Sequence, residues 1–596
     1  MRYRGTIAGT ALVLLASSLL VACGSSSSTV SAPKQAALGV AGIASPLTQP
    51  PSGKRGGTLQ VLQESDFENL DPGISYLALD YEVVYATQRP LFSWVPSSFE
   101  LETDLAAELP KISDNGKLVT IKIKEGVHFS PPVNREVTSE DVAYAIERGA
   151  NPNVACPYFH AYFEAIEGAP KANGGPIAGI TTPDKHTIVF KLTEAKGETV
   201  AEAMQLPISA PVPKEYAAKF DKSSPSTYGN YQVATGPYML KNNAAGKVLG
   251  IGYIPGKSAT LVRNPNWNAA TDKRPAYLNE IAIKIGGTSA IIGRQVLEGK
   301  DLVQNEPPGQ SIVRLAYEKY KSQLEISPGA GEHYIALNNK FGPFANVDLR
   351  KALWAALDRS ALNKVRGGEL VAKVGTHFIY PTIPGFEQAG GLAGPKGAQF
   401  DFDRHPEGDM KIAEKYIKLA GYPSGKYTGG KTITVVGSSS PPMKEGAEIT
   451  NETLKQLGFK TNFSLVETST MYEKYCGVPK QRIDVCPSVA WVADFPDAQT
   501  VLDITFNGKL IAQTDNTNYG LVAVPKIDEE MTKGEELIGK ETRAKWWAKI
   551  DEQLVENAVA VPFDWDQQAN IEGSGVKGVG DIWDAGEWDY SWTSLK

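Results

Sequence analysis

Residues with reactive or metal-binding side chains are scarce in this chain of 596 residues, which has four cysteines and six histidines. The histidines (His128, His160, His186, His333, His377 and His405) are scattered, with no His-Glu-x-x-His spacing, and no Cys-x-x-Cys occurs. No zinc site is therefore legible from spacing. There is no Gly-x-Ser-x-Gly elbow either. Gly256-Lys257-Ser258 has the look of a phosphate-loop ending, but Gly250 and Gly252 stand at the wrong distances and Pro255 marks a turn. Paired acids such as Asp494 and Asp497 have the composition of a glycosidase site, yet such pairs are common where Asp and Glu number 67. A basic excess is also missing. The net charge of −7 argues against nucleic acid as a partner. Beyond residue 22 no uncharged apolar run approaches the ~20 residues that span a bilayer. The sequence gives no positive sign of an enzyme, and the expectation is of no catalysis, no cofactor and no metal.

The N-terminus is the most informative segment present. Arg2 and Arg4 form a positive head, Ile7 to Val21 carry no charge, and Leu20-Val21-Ala22 lead directly to Cys23. That is a secretory signal with a cysteine at the cleavage point, and it resembles the lipobox of bacterial lipoproteins. The resemblance implies removal of residues 1–22, acylation of Cys23, and an extracytoplasmic protein anchored to the cell membrane by lipid. Residues 23–55 are rich in Ser, Ala, Pro and Gly and bury too little apolar surface to fold. They form a tether spanning about 30 Å root-mean-square.

Outside the cytoplasm disulfides are permitted. Cys476 and Cys486 are near enough in sequence to close a small loop, leaving Cys156 as a buried thiol; spacing alone does not decide the pairing. The body of the protein, with 42% hydrophobic and 21% charged residues, is long enough for two or three cores.

The positive signals lie in longer stretches. Val119, Ile121 and Ile123 alternate with Thr120, Lys122 and Lys124, the period of a half-buried strand. Thr138-Ser-Glu-Asp141 reads as a capping box opening a helix over 142–148. Leu349, Leu353 and Leu357 fall on one helical face and belong to a core. Taken in order, Leu70-Asp-Pro72, Asp104-Leu-Ala, Lys124-Glu-Gly-Val-His-Phe129, Thr138-Ser-Glu-Asp-Val-Ala-Tyr144, Thr235-Gly-Pro-Tyr238, Leu261 to Trp267, Val347 to Arg359, Trp491-Val-Ala-Asp494 and Ala558 to Pro562 resemble the family 5 extracellular solute-binding proteins. These are the oligopeptide, dipeptide and nickel receptors of ABC importers.

The resemblance implies an α/β, two-lobed periplasmic-binding-protein-like fold of the class II type, with an extra subdomain in lobe one. Lobe one is expected over 56–287, including the subdomain at 96–204, and again over 566–596 where the chain returns. Lobe two is expected over 288–565. The implied ligand, a small molecule or most simply a short peptide, is buried between the lobes and handed to the membrane subunits of an ABC permease by a monomeric receptor. In relatives the Trp-x-x-Asp aspartate takes the ligand's α-amino group and the tryptophan lines a side-chain pocket, which maps those roles onto Asp494 and Trp491. Phe495-Pro-Asp-Ala498 departs from the family's usual continuation and leaves the local backbone course open. Ser75-Tyr76-Leu77 lies where relatives present an extended segment to the peptide backbone, and Asn338 lies near the cleft in relatives. Packing is an equally good reading of both. Trp583, Trp588 and Trp592 suit closing packing better than carbohydrate stacking. A sugar, a nickel chelate or an opine-like ligand stays open, as does a secreted hydrolase or carbohydrate-binding lipoprotein.

Overall fold

The computed structural model describes Ile43 and residues 52–95, 98–577, 580–581 and 588–596. The signal segment, Cys23, nearly all of the tether and Trp583 lie outside the described residues.

Two six-stranded mixed sheets carry the molecule. In the first, Thr58–Gln63 lies between Glu280–Ile285 and Leu302–Gln304, parallel to both. Ser258–Arg263 and Tyr238–Leu240 extend the sheet antiparallel on the far side of Glu280–Ile285. Alternation sets the buried face: Leu59, Val61, Ile281 and Ile283 are within 2% of complete burial and face one core with Tyr238, Leu261 and Trp588. Gly256 (φ +68°) sits in the hairpin joining Tyr253–Ile254 to Ser258–Arg263, so Gly256-Lys257-Ser258 is a turn.

The second sheet runs in the order Ala372–Val374, Ala560–Ile571, Leu324–Leu337, Val485–Trp491, Thr432–Ser438, Lys460–Val466. Helix Val347–Ala356 shares its hydrophobic core. Leu349 and Leu353 on this helix, and Leu357 just past its end, are buried, as the periodicity predicts. The lobes are joined by two adjacent strands of this sheet. Leu324–Leu337 and Ala560–Ile571 pair antiparallel from Leu324↔Ile571 to Ala336↔Ala560, with register breaks between. The expected boundary at 565/566 falls inside the second of these strands. The one at 287/288 precedes helix Ser289–Glu298 and the strand Leu302–Gln304, which pairs back onto the first sheet.

A four-stranded antiparallel sheet (Lys111–Ser113, Leu118–Lys122, Thr187–Lys191, Ile180–Asp184) and helix Ser139–Gly149 build the extra subdomain around their own core. Val119 and Ile121 point inward. At the helix start the Thr138 backbone N–H donates to the Asp141 carboxylate at 2.8 Å. Near the C-terminus, Trp588 and Trp592 are buried, and the Trp588 indole N–H donates to the Gln304 carbonyl. These two rings are lobe-one packing.

Candidate interlobe ligand site

A cavity of about 970 Å³ lies between the lobes, within the usual range for a small-ligand pocket. Lobe one supplies Tyr76, Leu77, Tyr81, Tyr85, Trp94 and Tyr158. Lobe two supplies Tyr472, Glu473, Trp491, Asp494 and Tyr519, and the crossing strand adds Asp566, Gln567 and Gln568.

Leu70-Asp71-Pro72 fixes the lobe-one wall. Asp71 is fully buried. It accepts two bonds from Arg148 on the subdomain helix, at 2.8 and 2.6 Å, and one from the Gly73 N–H at 2.9 Å. Ser75 Oγ donates to the carbonyls of Asn69 and Asp71, which makes Ser75 a turn residue. Asp80, in the first turn of helix Ala78–Thr87, accepts from the N–H groups of Glu68 and Asn69. The turn thus clamped leaves the Tyr76 ring 48% exposed, packed 5.5 Å from Tyr158.

On the opposite wall, Val485–Trp491 ends at the cavity. The Trp491 indole N–H donates to the Thr500 carbonyl at 2.7 Å, and the Ala493 N–H donates to the Tyr380 hydroxyl at 2.9 Å. The Phe495-Pro-Asp-Ala turn is held from behind by Arg543, whose Nε donates to Asp497 at 2.5 Å. Asp497 is thereby an anchor facing Arg543, and it does not share the cavity with Asp494. Phe495 is fully buried in the subdomain core, so lobe two inserts a ring into lobe one.

The half-buried Asp494 accepts a hydrogen bond from Tyr162 across the cleft. Burial raises its carboxyl to about 6 against the lowering effect of that bond. It has no basic partner among the described residues. Burial, and next the nearby Asp494 charge, push the hydroxyls of Tyr76, Tyr158 and Tyr162 up, so all three stay neutral donors.

Of the residues singled out in the sequence, Tyr76, Leu77, Trp491 and Asp494 meet in this cavity. Asn338 does not. It lies just past the end of Leu324–Leu337, where its amide donates to the Ile483 carbonyl at 2.8 Å and accepts from the Lys340 and Phe341 N–H groups. Those bonds make it a turn-former. Sequence reasoning missed Tyr158, Tyr162, Tyr472, Tyr519 and Arg366, which sit in stretches without a legible pattern. Arg366 bonds Asp564 at 3.1 Å and Asp566 at 2.7 Å, and His333 adds a contact to Asp566 at 2.9 Å. Burial opposes the Asp566 charge, but Arg366 and His333 hold its carboxyl well below the usual range. Away from the cavity, Cys476 and Cys486 are joined in a disulfide with Cα atoms 6.3 Å apart, and Cys156 is a buried free thiol.

Two α/β lobes joined by paired strands and enclosing a cavity lined from both sides define a periplasmic-type solute-binding protein. Residues 100–512 match the family model of bacterial extracellular solute-binding proteins, family 5, and the chain belongs to that family. It is 25% identical over 473 residues to the periplasmic oligopeptide-binding protein OppA of Salmonella typhimurium, covering 76% of this chain and 78% of that one. Its identity to the Bacillus subtilis oligopeptide-binding protein OppA is 24% over 547 residues, covering 88% and 91% of the two chains. Among solved structures, a clavulanic acid biosynthesis oligopeptide binding protein superposes with a TM-score of 0.78 at 23% identity, covering 92% of this chain and 96% of that one. The Helicobacter pylori DppA in complex with the peptide STSA superposes at 0.68 with 18% identity, covering 91% and 98%. These likenesses carry the fold.

Proposed function

We propose that this protein is the lipid-anchored receptor of an ABC importer, which closes its lobes over a short peptide and delivers it to the permease. The observation that carries the reading is the Asp494 carboxylate, set in the interlobe cavity beside Trp491 and Tyr76 with a tyrosine donor and no cationic partner among the described residues. A half-buried carboxylate in that setting gains most from an ammonium ligand. Relatives named for oligopeptide and dipeptide binding support a peptide's α-amino group as that ammonium. In the matching domain division, lobe one runs over 56–287 and returns at 566, the subdomain occupies 96–204, and lobe two covers 288–565. Leu302–Gln304 is lent back to the lobe-one sheet. The disposition of Arg2, Arg4 and Leu20 to Cys23 supports cleavage after residue 22 and acylation at Cys23.

Isothermal titration with matched tripeptides, one with a free amine and one N-acetylated, tests the reading. The free-amine peptide is expected to bind far more tightly. Equal affinity for both would remove Asp494 from amine recognition and turn the assignment away from peptides. For the anchor, Cys23→Ala is expected to abolish fatty-acid labelling and release protein into the medium. Continued labelling would refute the lipobox.

A further inference from the structure

The charges of the cavity wall do not balance. Three carboxylates line it (Glu473, Asp494 and Asp566) and Arg366 is the one basic side chain among its described lining residues. Arg366 is already bonded to both Asp564 and Asp566, so it is not free to take a ligand anion, and Asp566 is already held by Arg366 and His333. Asp494 and Glu473 remain, each without a cationic partner among the described residues. They sit on different segments. Asp494 follows the strand that ends at Trp491, whereas Glu473 is exposed on the helical turn Met471–Cys476 beside Tyr472.

The rest of the wall suits a cation as well. Eight aromatic rings line the cavity, and their faces attract ammonium and guanidinium groups. The Tyr472 hydroxyl is spent inside the protein, accepting from the Ala490 N–H at 3.1 Å, which leaves its ring as the surface offered. A cavity with two unpaired carboxylates, many π faces and no free base favours cations and rejects anions on electrostatic grounds.

We propose that the solute is at least dicationic, with one ammonium at Asp494 and a second basic group, ammonium or guanidinium, held by Glu473 among the aromatic rings. A short peptide with a lysine or arginine side chain meets this description, and so does a polyamine. The proposal rests on the reading of this cavity as the solute site, but not on the solute being a peptide.

Titration calorimetry of the mature protein with Ala-Arg-Ala, Ala-Ala-Ala, Ala-Glu-Ala and spermidine at pH 7.5 tests it. Ala-Arg-Ala is expected to bind about tenfold more tightly than Ala-Ala-Ala, and Ala-Glu-Ala more weakly than either. The preference should shrink several-fold in Glu473→Gln and in 0.5 M salt. Glu473 is exposed and its replacement is isosteric, and the melting temperature and far-UV circular dichroism of Glu473→Gln check that the fold is kept. Equal affinity for the three peptides overturns this inference while the peptide-receptor reading stands. An unchanged preference in Glu473→Gln overturns the role of Glu473. Binding of spermidine but of no peptide supports the dicationic ligand and refutes the peptide reading. Binding of none of the four overturns both.

Discussion

Asp494 concentrates the chemistry of the site. Its carboxyl is raised to about 6 from an ordinary value near 4, so the ligand-free closed form holds a proton there more tightly than the unfolded chain does. That contribution to stability is present at low pH and is lost as pH rises through roughly 4 to 6. A ligand ammonium reverses the preference by stabilising the charged form. Affinity for a free-amine peptide should therefore climb up to tenfold per pH unit below about 6 and level off above it, whereas an N-acetylated peptide should show no such slope. Titrations at pH 5, 6 and 7.5 check this. Asp494→Ala is expected to cost about 2–5 kcal/mol of free-amine peptide binding, as for truncation of a buried charged pair. Tyr162→Phe removes the donor that lowers the carboxyl, so the midpoint of the pH profile should move upward. An unmoved midpoint would mean that the hydroxyl does not tune the acid.

Elements explain which of these residues were legible. Leucines at Leu349, Leu353 and Leu357, the alternation at Val119 and Ile121, and Thr138 with Asp141 all announce themselves, because regular structure repeats its burial pattern. Trp491 and Asp494 were readable only through family resemblance. The tyrosines of the opposite wall were not readable at all. Tyr158 and Tyr162 come from an irregular helical turn in the subdomain, 332 residues before Asp494 in the case of Tyr162, and no local pattern encodes a contact made by lobe closure. Asn338 illustrates the converse. Its neighbourhood matched, but its amide is consumed by three backbone bonds. Two elements also invite stability tests. The Cys476–Cys486 disulfide closes a short loop that ends on the second residue of Val485–Trp491, and Cys476→Ser/Cys486→Ser should lower unfolding stability by about 3 kcal/mol by the chain-entropy estimate. Arg148 also pairs with the buried Asp221 at 2.7 Å, so Arg148→Met strands Asp71 and Asp221 without their cation and should cost about 3–5 kcal/mol. Urea unfolding measures both.

For the whole molecule, the contact between the subdomain helix Gly197–Ala203 and lobe two matters most. Thr199 donates to Gln499 at 2.7 Å and Lys196 meets Glu535 at 3.1 Å. On the same helix Glu202 is raised to about 8, first by burial and then by Asp497 and Glu198, against the opposing charges of Lys540 and Arg543. Opening that returns Glu202 to water would restore its ordinary value, so closure is expected to take up a proton. The closed form is favoured at low pH and loses that advantage as pH rises from about 4.5 to 8. Small-angle scattering of the ligand-free protein across that window should show expansion with rising pH, and Glu202→Gln should flatten the trend. Ligand should compact the molecule and raise its melting temperature by mass action. A cleft-bound peptide that leaves the radius of gyration unchanged would count against a moving hinge.

Lys54 bridges to Leu595, so the chain enters and leaves the folded body at one point on lobe one. A lipid at Cys23 would attach the molecule through that half, leaving lobe two as the half that is displaced relative to the attachment point when the lobes close. This asymmetry dictates where reporters belong. A fluorophore appended after Lys596 would report the position of lobe one. One placed on the outer edge strand Lys460–Val466 would travel with the swing, and the pair would read uptake as a change in energy transfer on intact cells.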